Sequence, residues 1–159
     1  MLRFVVFDQP GQPHVWRVEQ AYLFGPDDIP IQAELAIEAG EIVGTKSVET
    51  AAGLCVTARV DLPLGGGKSK CLGLLSLKTC LLPDRQEPYL LFLELARHRL
   101  MFVFNKLEQW GLFDLPGDHP AMKQFERAQA TFTRALVEQR HHPEPGSGEP
   151  GGELAPQDQ

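Results

Sequence analysis

The spacing of hydrophobic residues along this chain changes once, between residue 82 and Pro88, from every second residue to a period of about 3.6. Before that point, segments such as 31–38 and 53–60 alternate apolar and polar residues, which is typical of half-buried strands. Beyond it, the segment 87–114 carries apolar residues at helical spacing, together with several charges. Strands in the first half and helices in the second predict an α+β fold.

Turn-forming residues divide the first half, residues 1–82, into short strands. The predicted strands are 2–7, 14–18, 31–38, 41–46, 53–60 and 71–82. The sequence DQPGQP between the first two predicts that they form a hairpin, and GPDD and Ala39-Gly40 predict two further turns. In 53–60, Leu54 and Val56 are expected to face inward. This spacing favours an antiparallel, jelly-roll-like β-sandwich followed by two α-helices.

The first helix is predicted to run from about Pro88 to Trp110, with Gly111 just beyond its C-terminus. Its polar residues form two stripes, one of Glu94, His98, Asn105 and Glu108, and one of Arg99 and Lys106. The opposite, apolar face comprises Tyr89, Leu93, Leu100, Val103, Phe104, Leu107 and Trp110. We expect this face to be buried, so that an aspartate at Leu100 or Phe104 unfolds the domain. We expect Glu94 to pair at the surface with Arg97 and His98.

The second helix is predicted over about 119–139, with Asp118 as its N-cap and Pro120 in its first turn. Its apolar stripe comprises Met122, Phe125, Phe132 and Leu136, and a short connector favours antiparallel packing of this stripe on the first helix. Residues 1–139 are predicted to form one domain. Residues 140–159 are an acidic tail rich in Pro and Gly, which predicts disorder.

Composition excludes several classes of protein. The chain has 159 residues and a net charge of -6, so it has a core-forming length but lacks the basic surface of nucleic-acid binders. The apolar start is too short for a secretion signal, and the charged centre of 87–114 argues against a membrane span. The cysteines Cys55, Cys71 and Cys80 have no metal-binding spacing. We predict a cytoplasmic protein with no nucleic-acid or membrane partner, no metal and no cofactor.

No catalytic motif occurs in the sequence, and GGGKS at 65–69 matches only half of a phosphate-binding loop. We therefore predict no catalytic residue and no enzyme activity. Trp16 and Tyr22 lie on the β half and could stack on a sugar ring, whereas Trp110 is expected in the core. The candidate ligand-binding residues are Trp16, Tyr22, Arg99 and Lys106, of which the last two form the basic stripe of the first helix.

Three phrases resemble a known family: MLRFVVFD, AYLFGPDDIPIQAEL and TCLLPDRQEPYLLFLELARHRLMFVFNKLEQWGLFD. They are similar to the N-terminal region of planctomycete proteins named as glycoside hydrolase family ten, endo-1,4-β-xylanase-like. The resemblance covers residues 1–139 and implies a β-rich accessory module that, in the longer proteins, precedes a barrel with two catalytic glutamates. This chain continues instead into the tail, so the resemblance implies no xylanase activity here and transfers no site residues.

Two functions are compatible with these observations. The first is a non-catalytic accessory or interaction module that binds carbohydrate, with a polysaccharide or a partner protein as its ligand. The alternative is a structural or oligomerisation protein without a small-molecule ligand, in which the helices or an edge strand bury against a second copy. The first predicts a concave site around Trp16, Tyr22, Arg99 and Lys106, and the second predicts a homo-oligomer. An open pocket lined by Arg99 and Lys106 would instead favour a third hypothesis, a small enzyme with an unrecognised site.

Overall fold

The structure, a computed structural model, describes residues 1–6, 17–38, 40–63 and 70–141. Its strands are β1 (Leu2–Val5), β2 (Arg17–Phe24), β3 (Ala33–Glu38), β4 (Glu41–Lys46), β5 (Gly53–Pro63), β6 (Lys70–Lys78) and β7 (Tyr89–Leu90). Its helices are α1 (Leu91–Gln109), a short 3-10 helix (Leu112–Asp114) and α2 (Pro120–His141). The order of strands, then helices, confirms the predicted α+β class. The predicted tail lies, apart from Arg140 and His141, outside the described residues.

The strands form two sheets that share one hydrophobic core. One sheet has the order β3-β4-β1-β7 and the other the order β2-β5-β6. The core joins Phe4 and Ile42 of the first sheet to Leu23, Leu54 and Val56 of the second, so the sheets pack face to face as in a sandwich. The neighbours within each sheet are antiparallel except for β1 and β7, which are parallel. The finer jelly-roll arrangement stays a prediction.

The predicted hairpin between 2–7 and 14–18 is wrong. β1 pairs with β4 and β7, whereas β2 pairs with β5 in the other sheet. Residues 14–16 of that prediction lie outside the described residues, and β2 extends to Phe24 instead of ending at Val18. Turn residues indicate that a chain reverses, but they do not select the strand with which it then pairs. The β3–β4 turn is confirmed, with Gly40 in the left-handed region at φ 84°.

A buried threonine ties the end of β6 to the start of β5. The Leu54 N–H donates to Thr79 Oγ1 at 2.9 Å, and the Thr79 hydroxyl donates to the Cys80 carbonyl oxygen at 2.8 Å. We expect Thr79→Val to lower the free energy of unfolding by about 1–3 kcal/mol, because it leaves a buried N–H without its acceptor. Urea denaturation measures this loss. Thr79→Ser keeps the hydroxyl and is the control; an equal loss in both variants would contradict the assignment.

The start of α1 differs from the prediction. Pro88 was expected in the first turn, but Tyr89 and Leu90 pair with β1, and the helix begins at Leu91. Its end agrees with the prediction, since Gly111 lies beyond the last turn with φ 63° and its N–H donates to the Glu108 carbonyl oxygen. The helix therefore follows β7 without an intervening loop.

The predicted buried face of α1 is correct for Leu93 and Leu107, but the side chains that enter the core, Leu91 and Leu95, lie outside that face. Leu93 and Leu107 are buried and Leu100 is half-buried, but Val103, Phe104 and Trp110 are 40%, 43% and 66% exposed. Trp110 is therefore not a core residue. The N-terminal turns insert Leu91 and Leu95 into the core between the sheets, whereas the later turns extend past it. A helical wheel shows which residues share a face, but it does not show which face the neighbouring layer covers.

Glu94 is a second correction on α1. Its expected surface position is wrong, because it is only 5% exposed. The predicted pair with Arg97 is confirmed, with Arg97 Nε 3.0 Å from Oε2 and a second bond of 3.3 Å to Oε1. His98, the other expected partner, lines a cleft beside α1, and its Nδ1 has no hydrogen-bond partner in the part of the chain that the structure describes.

The helix α2 packs on α1 through its predicted apolar stripe. Phe125, Phe132 and Leu136 are half-buried, and the Arg97 guanidinium lies 5.5 Å from the centre of the Phe132 ring. The predicted N-cap is wrong: the Ala121 N–H donates to Nδ1 of His119, one residue after Asp118, at 3.2 Å. Pro120 occupies the first helical position, as expected.

Candidate functional site

Two of the four predicted ligand-binding residues, Tyr22 and Arg99, line the same cleft. It has a volume of about 650 Å³ and lies between the β2-β5-β6 sheet and α1. Lys106 does not line it; its Nζ lies 2.9 Å from Gln109 Oε1 and 5.8 Å from the centre of the Trp110 ring. Trp16 lies outside the described residues. The structure therefore brings together two of the four predicted residues.

The floor of the cleft is the sheet face that points away from the core. Two rows of directly opposed residues cross it, Gln20–Thr57–Ser76 and Tyr22–Cys55–Lys78. Alternate residues of a strand share a face, so both rows point into the cleft while Leu23 and Leu54 point into the core. Within the first row the hydroxyl oxygens of Thr57 and Ser76 lie 2.6 Å apart. The floor thus presents hydroxyl, amide, thiol and amino groups to the cleft.

The wall of the cleft is the middle of α1. His98, Arg99 and Phe102 line it, about one turn beyond the residues that anchor the helix in the core. The Arg99 guanidinium donates to the Ser76 carbonyl oxygen at 3.4 Å, which connects the wall to β6, an edge strand among the described strands. Phe102 and Tyr22 add aromatic surface to an otherwise polar lining.

The rim of the cleft is the predicted GPDD turn. The Asp28 N–H donates to the Gly25 carbonyl oxygen at 3.0 Å, and Asp28 itself has φ 61°. Aspartate tolerates this left-handed conformation better than most residues do. Both Asp28 carboxylate oxygens lie 2.6 Å from Lys78 Nζ. This hydrogen bond is the main cause that raises the pKa of Lys78, so the lysine stays charged.

Two further groups in the cleft have shifted pKa values. Burial, then the positive charges of Arg99 and Lys78, lower the pKa of His98, so its imidazole is neutral at pH 7. The hydrogen bond with Cys55 is the main cause that raises the pKa of Tyr22, so its hydroxyl stays protonated. A neutral imidazole and a protonated phenol can each donate or accept a hydrogen bond.

This lining can bind a polar molecule by many hydrogen bonds. It offers hydroxyl, amide and imidazole groups beside two cations and one carboxylate, the Asp28 group that Lys78 already neutralises. Among the described residues, no group of three or more His, Cys, Asp or Glu side chains could hold a metal ion. The described lining thus offers a ligand many hydrogen-bond donors and acceptors.

Most of the lining residues were not predicted from the sequence. The alternation of 53–60 does place Thr57 on the outward face, but the rows exist only because β2, β5 and β6 pair in one register. Asp28 and Lys78 are far apart in sequence, and only the tertiary fold brings them into contact. To predict the floor of the cleft from the sequence, one would have to know that β2 pairs with β5.

No family model, curated protein or solved structure matches this chain. The resemblance to the N-terminal region of family-ten glycoside hydrolases therefore stays a prediction. Within the described residues, no helix combines the length and the apolar character that crossing a membrane requires.

Proposed function

We propose that this protein is a non-catalytic binding module whose cleft between the β2-β5-β6 sheet and α1 holds carbohydrate. The observation that carries the proposal is the pair of polar cross-strand rows with Tyr22 at one end. Sugars are recognised by many hydrogen bonds to hydroxyl groups together with contact to an aromatic surface. The volume of about 650 Å³ is within the usual range for small-ligand sites.

The polar lining favours binding over catalysis in this proposal. Its carboxylate, Asp28, is ion-paired with Lys78 by two contacts of 2.6 Å, which opposes a role as general acid or base. The resemblance to an accessory region of xylanase-like proteins agrees with a binding role. The thiols of Cys55 and Cys80 are free, which supports a reducing, cytoplasmic location as part of the same proposal.

Calorimetry with xylan and cellulose oligosaccharides tests the proposal. We expect measurable binding that Tyr22→Ala weakens about tenfold, because the change removes both a stacking surface and a hydroxyl group. Trp110→Ala is the matched control, since it removes an aromatic side chain outside the cleft and should leave the affinity unchanged. Absence of binding to every oligosaccharide at millimolar concentration would contradict the proposal.

A second candidate function, self-association, is favoured by the outer face of α1. Val103 and Trp110, seven residues apart on one face of the helix, are exposed apolar side chains on the half that extends past the core. Clusters of this kind mark contact sites with other proteins or with a second copy. Light scattering discriminates between the candidates: a monomer at high micromolar concentration would contradict the homo-oligomer.

A further inference from the structure

The cleft holds Arg99, whose charge no carboxylate among the described side chains neutralises. Among the described residues, no Asp or Glu forms an ion pair with Arg99, which instead donates to the Ser76 carbonyl oxygen at 3.4 Å. An arginine presents five N–H donors in a planar fork, so most of these donors are available to a ligand. The fork matches the two oxygens of a carboxylate.

The other charges of the cleft nearly cancel. Lys78 and Asp28 form a close pair in which both carboxylate oxygens contact the ammonium group. His98 is the third basic group and is neutral at pH 7. The described lining therefore has a net charge of about one positive unit, centred on Arg99, beside hydroxyl groups on the floor. A ligand that complements this arrangement places a negative group beside Arg99 and several hydroxyls on the floor.

We propose that the ligand of this cleft is an acidic sugar, in which a carboxylate accepts hydrogen bonds from Arg99 and the hydroxyl groups face the rows that contain Thr57 and Tyr22. This inference rests on the proposed function, because it names the class of carbohydrate that the same cleft takes. It adds a preference that the neutral oligosaccharides alone do not require.

Trigalacturonate and its methyl ester test the preference. The two ligands share one sugar backbone and differ in the charge of their carboxyl groups. We expect the protein to bind trigalacturonate about tenfold more tightly than the ester, since a charge-assisted hydrogen bond is stronger than a neutral one. Raising the salt concentration should weaken binding of the acid and leave binding of the ester unchanged.

Variants assign the preference to Arg99. Arg99→Gln should abolish the discrimination between acid and ester, and Arg99→Lys should keep part of it because the charge is retained without the fork. Lys106→Gln removes one positive charge from the same helix outside the cleft, so it should leave the tenfold discrimination unchanged. Melting temperatures of all variants show that each is folded.

The Asp28→Asn substitution is expected to increase the affinity for trigalacturonate. Asparagine also tolerates the left-handed conformation of position 28, and the change releases Lys78 from its carboxylate. We expect binding of trigalacturonate to tighten about threefold or more, because a second cation faces the ligand, and binding of the ester to stay constant. An unchanged affinity for the acid would contradict the view that the net positive charge of the cleft attracts the ligand.

The outcomes separate the two proposals. Equal affinity for the acid and the ester, or binding of neutral oligosaccharides without trigalacturonate, would overturn the acidic preference and leave the carbohydrate module intact. Absence of binding to every sugar would overturn both. Discrimination that survives in Arg99→Gln would overturn the role of Arg99.

Discussion

Replacing Leu95 with aspartate is expected to unfold this protein, whereas the same substitution at Val103 on the same helix leaves it folded. Leu95 is 3% exposed and belongs to the core cluster between the two sheets. An aspartate there loses the burial of the leucine and places an unpaired carboxylate in an apolar site, which together cost more than about 5 kcal/mol. Natural domains have a total stability of about 5–15 kcal/mol.

Val103 is the matched control because its side chain on the same helix is 40% exposed. There the aspartate stays hydrated, and we expect a change of less than about 1 kcal/mol in the free energy of unfolding. Circular dichroism during thermal unfolding measures both variants. A folded Leu95→Asp variant with an unchanged melting temperature would contradict the insertion of α1 into the core.

The second large effect concerns the buried ion pair of α1. Arg97→Ala leaves the Glu94 carboxylate, which is almost inaccessible to water, without the two hydrogen bonds that it now accepts. Breaking a fully buried pair costs about 3–5 kcal/mol and an exposed pair contributes less than about 1 kcal/mol. Because Arg97 is itself partly exposed, we expect a loss of about 2 kcal/mol.

A pair on α2 provides the control. Arg134 and Glu138 are 4.0 Å apart and both largely exposed, so Arg134→Ala should cost less than about 0.5 kcal/mol. Adding Glu94→Gln to Arg97→Ala removes the unpaired charge and should recover part of the lost stability. Urea denaturation of the four proteins gives the values. Equal losses for Arg97→Ala and Arg134→Ala would show that Glu94 is not buried.

Local patterns predicted the elements well because their causes are local. Leu54 and Val56 face the core as the alternation of 53–60 predicts, since the two-residue period of a strand is a property of its backbone. The GPDD turn and the left-handed Gly111 likewise follow from the residues that occupy them. The class of the fold, strands followed by helices, was therefore predictable.

Strand pairing and the burial of individual α1 side chains were not predictable from one sequence. The residues of β1 and β2 do not indicate that the two strands belong to different sheets, because strand pairing depends on residues that are distant along the chain. The exposure of Trp110 and the burial of Glu94 depend on which face and which turns of α1 the rest of the fold covers. A wheel drawn from the sequence contains neither of these two pieces of information.

The candidate site was half predicted for the same reason. Tyr22 and Arg99 were selected by residue type, and they meet because α1 passes over the outer face of the β2-β5-β6 sheet. Lys106 has the same charge as Arg99 and lies two turns farther along, where it contacts Gln109 and the aromatic rings of Phe102 and Trp110. Membership of the site is decided by position along the helix axis.

A titration with oligosaccharide followed by backbone amide NMR tests the binding cleft most directly. With the sugar that calorimetry selects, we predict that the shifted amides cluster at Gln20, Tyr22, Thr57, Ser76 and Arg99, on both the floor and the wall. Signals of the exposed α1 face near Trp110, about three turns beyond Arg99, should stay in place. Shifts confined to that face, or no shifts at millimolar sugar, would contradict the assignment of the cleft as the carbohydrate site.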